Sequence, residues 1–143
     1  SELKHLKTLE LIGNNLKTLP KEIKKLGNLR KLIVNDNQLT SLPEVIGDLK
    51  SLKDLYLSGN KLRKLPNSMK NLTSLKRLNI GNNELTELHE FILRLPSLEV
   101  LNIKGNRLKN INLVQKILKE RGFRKDKEEG CFKANYSCFL TPF

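Results

Sequence analysis

The feature that most constrains this chain is a repeat of 23 residues. Five units follow one another without insertion or deletion, at residues 6–28, 29–51, 52–74, 75–97 and 98–120. They share the pattern L-x-x-L-x-L-x-x-N-x-L-x-x-L-P-x-x-I-x-x-L, and every apolar position except Gln115 holds Leu, Ile, Val or Met. Self-similarity at such a period is typical of repeat proteins, so we expect a solenoid in which each unit buries its apolar face against its neighbours.

Each unit begins with a segment that predicts a short β-strand. In L-x-L, the two apolar side chains point to one face and the middle residue points to the other. One asparagine follows each predicted strand, at Asn14, Asn37, Asn60, Asn83 and Asn106. Because an amide both donates and accepts hydrogen bonds, we expect this column, the Asn ladder, to satisfy backbone groups where the chain turns.

A proline follows the inner leucine of the first three units. Pro20, Pro43 and Pro66 fix φ and favour the start of a short helical stretch on the outer side. His89 and Asn112 replace proline in the last two units. We interpret His89 as a tolerated surface residue, with transition-metal binding as the alternative.

These units closely resemble leucine-rich repeats over residues 3 to about 121. The L-P-x-x-I-x-x-L variant is similar to the 23-residue class of Ras-associated and bacterial repeat proteins. The lysine-rich sequence "LPKEI" at residues 19–23 most resembles secreted or surface proteins of pathogenic spirochaetes. The resemblance implies an α/β fold, a right-handed solenoid in a horseshoe arc. A parallel sheet would line its concave side, with short helical or 3-10 segments on the convex side. We expect residues 1–143 to form one domain.

The two ends of the solenoid are predicted to differ. The segment "INLVQKILKERG" at 111–122 has helical periodicity and a glycine to end it, and with residues 123–143 it predicts a C-terminal cap. An exposed apolar tail that docks on a partner is the alternative. At the N-terminal end, the uncovered positions Leu3 and Leu6 predict either self-association or a missing segment. The absence of an initiator Met indicates a processed form or a fragment.

No motif in the chain predicts a catalytic centre, a metal site or a cofactor. Cys131 and Cys138 are equally compatible with a disulfide and with two buried thiols, and their spacing is poor for zinc. No glycine-rich phosphate loop and no apolar stretch of membrane-spanning length occurs. We interpret the glycosylation-type tripeptides at 71–73 and 135–137 as accidental. The chain is therefore predicted not to be an enzyme.

Function is predicted to lie in the variable positions of the strands, because in proteins of this family the concave face binds partners. An apolar patch of Ile12, Ile33 and Tyr56 with polar neighbours is typical of a protein-binding surface, although strands favour such residues in any case. The predicted partner-binding residues are Ile12, Lys31, Ile33, Asp54, Tyr56 and Arg77.

A second feature is a column of cations, Lys7, Arg30, Lys53 and Lys76, which ends at Glu99. The net charge of +12 favours acidic partners in general. The column is either a solvated face or a site for a sulfated polysaccharide or an acidic protein strip. Nucleic acid is disfavoured because no aromatic residues are interleaved with these cations.

We therefore predict a non-enzymatic module that binds a protein partner on its concave face. The resemblance to bacterial proteins makes a host protein one candidate, and it implies a secreted or cell-surface location, with a cytoplasmic one as the alternative. Two other hypotheses are an adhesin for anionic polysaccharide and a regulatory repeat segment of a larger protein.

Overall fold

One strand from each repeat contributes to a parallel sheet. The computed structural model describes residues 2–126 and 130–134. Its parallel strands are β1 Thr8–Glu10, β2 Lys31–Ile33, β3 Asp54–Tyr56, β4 Arg77–Asn79 and β5 Val100–Asn102. Each strand pairs with the next in a constant register of one repeat, so Thr8 aligns with Lys31 and Lys31 with Asp54. The predicted repeat architecture with its parallel sheet is confirmed.

Short helical segments connect one strand to the next on the convex side. They are 3-10 helices at Lys21–Lys25, Glu44–Asp48 and Asn67–Asn71, preceded at the N-terminus by another at Glu2–His5, and a single-turn helix α1 at Glu90–Leu93. Pro20, Pro43 and Pro66 each stand directly before a segment with φ between −70° and −68°. His89 takes the same place before α1 with φ −68° and ψ 146°, so its backbone reproduces the proline conformation.

The fifth unit departs from the others. Its helix α2 runs from Ile111 to Glu120, so Asn112 lies inside the helix rather than before it. Asn110 precedes the helix and ties it to the fourth unit, because its side-chain nitrogen donates to the carbonyl oxygen of Leu88 at 2.9 Å. Gln115 is exposed on α2, which explains why this one apolar position of the pattern tolerates an amide.

The Asn ladder bonds each turn to the preceding unit. The side-chain nitrogen of Asn60 donates to the carbonyl oxygens of Val34 and Leu57, both at 3.0 Å, and its Oδ1 accepts from the backbone N–H of Leu39 at 3.0 Å. Amide donation to two successive units recurs at Asn37, Asn83 and Asn106. Asn14, in the first unit, is exposed. The ladder therefore satisfies backbone groups that the turns would otherwise leave unbonded.

Next to the ladder, the backbone of every unit takes a left-handed conformation. The positions concerned are Gly13, Asp36, Gly59, Asn82 and Gly105, with φ between 50° and 75°. A Cβ atom on Gly59 would collide with the Asp36 carboxylate, and one on Gly105 with the Asn82 amide. In the present arrangement, the side chains of Asp36 and Asn82 thus fill the space next to Gly59 and Gly105.

A small hairpin and a helix cover the C-terminal end. Strands β6 Arg124–Lys125 and β7 Phe132–Lys133 pair with each other, and β7 pairs antiparallel with β5. Helix α2 buries Val114, Ile117 and Leu118, and Gly122 follows it with φ 83°. The helix agrees with the sequence expectation, whereas the two antiparallel strands were not predicted. Residues 127–129 and 135–143, and with them Cys138 and the proposed disulfide, lie outside the described residues.

The N-terminal end of the core is open in the described chain. Leu3 is 61% exposed. The apolar positions of the first unit surround a cavity of about 200 Å³, lined mainly by Leu3, Leu9, Leu11, Leu19, Ile23 and Leu26. In later units the equivalent leucines are buried. Self-association through this end stays a proposal.

The position of an asparagine in the ladder should decide how much it stabilises the fold. We expect Asn60→Ala to lower the free energy of unfolding by about 1–3 kcal/mol, because it leaves the buried N–H of Leu39 without an acceptor. Asn14→Ala should change it by less than about 0.5 kcal/mol, because that side chain is exposed. Urea unfolding followed by circular dichroism measures both, and equal losses would contradict the assigned role of the ladder.

Candidate binding surface on the concave side

The variable strand positions form three columns on the concave face. Side chains alternate along a strand, so these positions point away from the leucine core. The first column is Thr8, Lys31, Asp54, Arg77 and Val100. The central column is Glu10, Ile33, Tyr56, Asn79 and Asn102. The third, just beyond the strands, is Ile12, Asn35, Ser58, Gly81 and Lys104.

The three residues of the predicted apolar patch differ in exposure. Ile12 is 50% exposed and Ile33 is half-buried, whereas Tyr56 is only 9% exposed. Tyr56 aligns between Ile33 and Asn79 and lies beside the Asp54–Arg77 pair, so its ring forms the floor of the concave surface. The apolar area that a partner can reach is therefore that of Ile12 and Ile33.

An ion pair borders this apolar area. Asp54 and Arg77 align on neighbouring strands, and Nη1 of Arg77 lies 3.5 Å from Oδ1 of Asp54. Their side chains are 14% and 29% exposed. The Nε atom of Arg77 is buried and has no hydrogen-bond partner among the described residues. Lys31 precedes Asp54 in the same column and is half-buried. The guanidinium of Arg77 is thus held in place but not fully bonded.

The environment of Tyr56 disfavours its ionised form. Burial raises the pKa of the Tyr56 hydroxyl above 10.0, and the nearby Asp54 carboxylate raises it further. The charge of Arg77 and a hydrogen bond from its side chain act in the opposite direction without reversing the shift. Tyr56 is consequently neutral at physiological pH.

The far half of the concave face is lined by amides that bond to their own chain. Oδ1 of Asn79 accepts from the N–H of Gly81 and Oδ1 of Asn102 from the N–H of Lys104, each at 3.0 Å. Asn79 is 6% exposed, and a Cβ atom on Gly81 would contact both amides at 3.2 Å. This half is polar, in contrast to the half that carries Ile12 and Ile33.

Sequence analysis missed one charged residue beside this surface. Lys133 of β7 aligns with Val100 and continues the first column beyond the repeats. Its side chain is fully buried, and its Nζ lies 3.1 Å from Oδ2 of Asp126. The 23-residue pattern gives no signal for it, because β7 runs antiparallel to the repeat strands and lies outside them.

The predicted column of cations lies along the edge where the chain enters the strands. Lys7, Arg30, Lys53 and Lys76 are all exposed. The N–H of Arg30 donates to the carbonyl oxygen of Lys7 at 2.8 Å, and the same bond links each later pair down to Glu99. The four cations therefore follow one another on successive units.

Within residues 2–126 and 130–134, no group of three or more His, Cys, Asp or Glu side chains is placed to hold a metal ion. The ring of His89 stacks on Phe91 with the centroids 5.6 Å apart. None of the helices in this part of the chain is long and apolar enough to cross a membrane.

The sequence matches the family described as "Leucine-rich repeat region" over residues 1–121. The chain belongs to the leucine-rich repeat family. A solved leucine-rich repeat protein of Leptospira interrogans is similar, with a TM-score of 0.62 and 35% sequence identity over 82% of this chain and 36% of that one. An internalin of Listeria monocytogenes has a TM-score of 0.57 and 26% identity over 64% of this chain and 26% of that one.

No curated protein matches this leucine-rich repeat chain. The chain spans only about a third and a quarter of the lengths of the two similar structures. Both are bacterial, and the first comes from a spirochaete, which confirms the predicted resemblance. What these comparisons show is a repeat module of the protein-interaction type.

The raised pKa of Tyr56 predicts a pH dependence of stability. Between pH 10.0, where an ordinary tyrosine ionises, and the higher pKa in the folded state, only the unfolded chain loses the proton. The free energy of unfolding should therefore fall as pH rises through this window, and less so in Tyr56→Phe. Titration of the near-ultraviolet phenolate absorbance in both proteins isolates Tyr56 from Tyr136. A midpoint for Tyr56 at or below 10 would contradict the burial described.

Proposed function

We propose that this leucine-rich repeat chain is a non-enzymatic module that binds a protein partner through its concave face. The observation that carries the proposal is the occurrence of exposed Ile12 and half-buried Ile33 on the same face as the Asp54–Arg77 pair, whose Asp54 lies on the strand next to that of Ile33. Apolar anchors next to a partly buried arginine are typical of the centre of a protein interface.

The arrangement supports a division of roles on this surface. Ile12 and Ile33 supply apolar contact area, and the largely buried Tyr56 aligns with Ile33 on the neighbouring strand. Arg77 supplies the directional contact, because its side chain is 29% exposed and a partner carboxylate or carbonyl oxygen can accept a hydrogen bond from the exposed part of the guanidinium. Lys31 adds positive charge. We therefore infer a partner segment in which an acidic residue lies next to apolar ones.

The source of the partner is a finer proposal. The similar structures are a bacterial leucine-rich repeat protein and a bacterial internalin, which supports a host protein as the partner and a secreted or cell-surface location for this chain. A role as a repeat segment within a larger protein is the alternative, since both similar chains are much longer.

Charge substitutions on the concave face test the proposal. We expect Ile12→Asp and Ile33→Asp each to weaken capture of a partner from host-cell surface extract by about thirtyfold, the loss typical of an interface anchor. Leu113→Asp is the matched control, because Leu113 is 47% exposed on α2, close to the 50% of Ile12. Circular dichroism establishes that all three variants fold.

The comparison of variants decides the outcome. A partner lost by the concave variants and retained by Leu113→Asp supports the proposal. A partner retained by all three variants, or lost equally by all, would contradict a site at Ile12 and Ile33.

A further inference from the structure

We propose a second binding site, for a sulfated polysaccharide, on the edge formed by Lys7, Arg30, Lys53 and Lys76. We call these four residues the basic edge. The site is separate from the concave surface and goes beyond the proposed protein-binding function. Three observations carry it: the regular spacing of the cations, the absence of an acidic ion-pair partner among residues 2–126 and 130–134, and a polar cavity at one end of the row.

The spacing of the basic edge is set by the sheet. The backbone N–H groups of Arg30, Lys53 and Lys76 donate to the carbonyl oxygens of Lys7, Arg30 and Lys53, respectively. Each of these bonds is 2.8 Å long. Neighbouring strands lie about 4.8 Å apart, so the four cations extend over roughly 14 Å in a single row. A row of this kind fits a linear chain of anionic groups.

The charges of the basic edge are not neutralised within the described part of the protein. Other arginines are paired there: Arg63 with Glu84, Arg77 with Asp54, and Arg94 with Glu90. No acidic side chain of residues 2–126 or 130–134 forms an ion pair with any member of the basic edge. The mutual repulsion of these cations is relieved when an anionic chain lies along them.

A cavity between Lys7 and Arg30 gives the row a defined end. Its volume is about 350 Å³, and its lining consists of His5, Lys7, Asn28, Arg30 and Ser51. The planar guanidinium of Arg30 can donate two parallel hydrogen bonds to one sulfate group, with Lys7 adding a second charge. Asn28 and Ser51 offer donors and acceptors to sugar hydroxyls; the Asn28 amide is oriented by a bond to the carbonyl oxygen of Lys4 at 2.6 Å.

The composition of this cavity favours a polysaccharide over other polyanions. Single-stranded nucleic acid binds through successive aromatic side chains on which bases stack, whereas the lining offers a single ring, that of His5. A membrane-surface site combines cations with apolar side chains that enter the lipid, and the lining has none of these. Charged groups alternating with amide and hydroxyl groups match a sulfated sugar chain.

Heparin is the probe for this proposal, and two sets of substitutions are compared. The first replaces Lys7, Arg30, Lys53 and Lys76 with Gln. The matched control replaces four other exposed lysines, Lys17, Lys61, Lys64 and Lys109, on the side of the units that follows the Asn ladder. Both sets lower the net charge of +12 by the same amount. We expect the first set to bind heparin at least about tenfold more weakly, and the control within about twofold of the wild type.

A third variant tests the cavity itself. Arg30→Lys keeps the charge but loses the planar fork, so we expect about threefold weaker binding if a sulfate group lies in the cavity. The proposal would be overturned if the two Gln sets lost heparin binding equally, or if Arg30→Lys bound heparin as the wild type does. It would also be overturned if the wild type did not bind heparin at physiological ionic strength. Tighter binding of single-stranded DNA or of anionic phospholipid vesicles than of heparin would overturn it as well. Urea unfolding of every variant establishes that the fold is retained.

Discussion

The hydrogen bonds of the Asn ladder are the interaction on which the rest of this structure depends. The carbonyl oxygens of Val34, Leu57 and Ile80 each accept from two amides, one from their own unit and one from the next. The asparagine at each turn therefore bonds to a carbonyl oxygen of the preceding unit as well as to one of its own unit. Since buried carbonyl groups are costly to leave unbonded, the ladder excludes any other spacing between units.

Because the spacing between units is fixed, residues at the same position of successive units line up in columns on the surface. Equivalent residues lie one strand apart, so the properties of a column follow from five residues read at an interval of 23. Ile12 and Ile33, near the start of two columns, and the cations of the basic edge then form the two proposed binding surfaces. Neither surface needs a loop insertion or a deep pocket, because the scaffold aligns the residues.

The sequence was sufficient to predict the strands, the ladder positions and the helical segments, because each depends on a local pattern that recurs. Burial of Tyr56 could not be predicted from its own unit, since it depends on Ile33 and Asn79 in the neighbouring units and on the Asp54–Arg77 pair. The hairpin of β6 and β7 was missed for a different reason. Its two-residue strands lie outside the repeat and carry no periodic signal.

Contacts between units also limit how the columns can vary. The Asp36 carboxylate occupies the space above Gly59, and the Asn82 amide that above Gly105, so a side chain at either glycine would displace the side chain of the preceding unit. On the concave face, a Cβ atom at position 81 would lie 3.2 Å from the amides of Asn79 and Asn102, which would have to shift slightly to admit it. The choice of residue in one unit is therefore coupled to its neighbours. The concave surface therefore depends on sets of adjacent units. Transferring a single unit to another position in the solenoid would change the burial of Tyr56 and the exposure of Ile33 together.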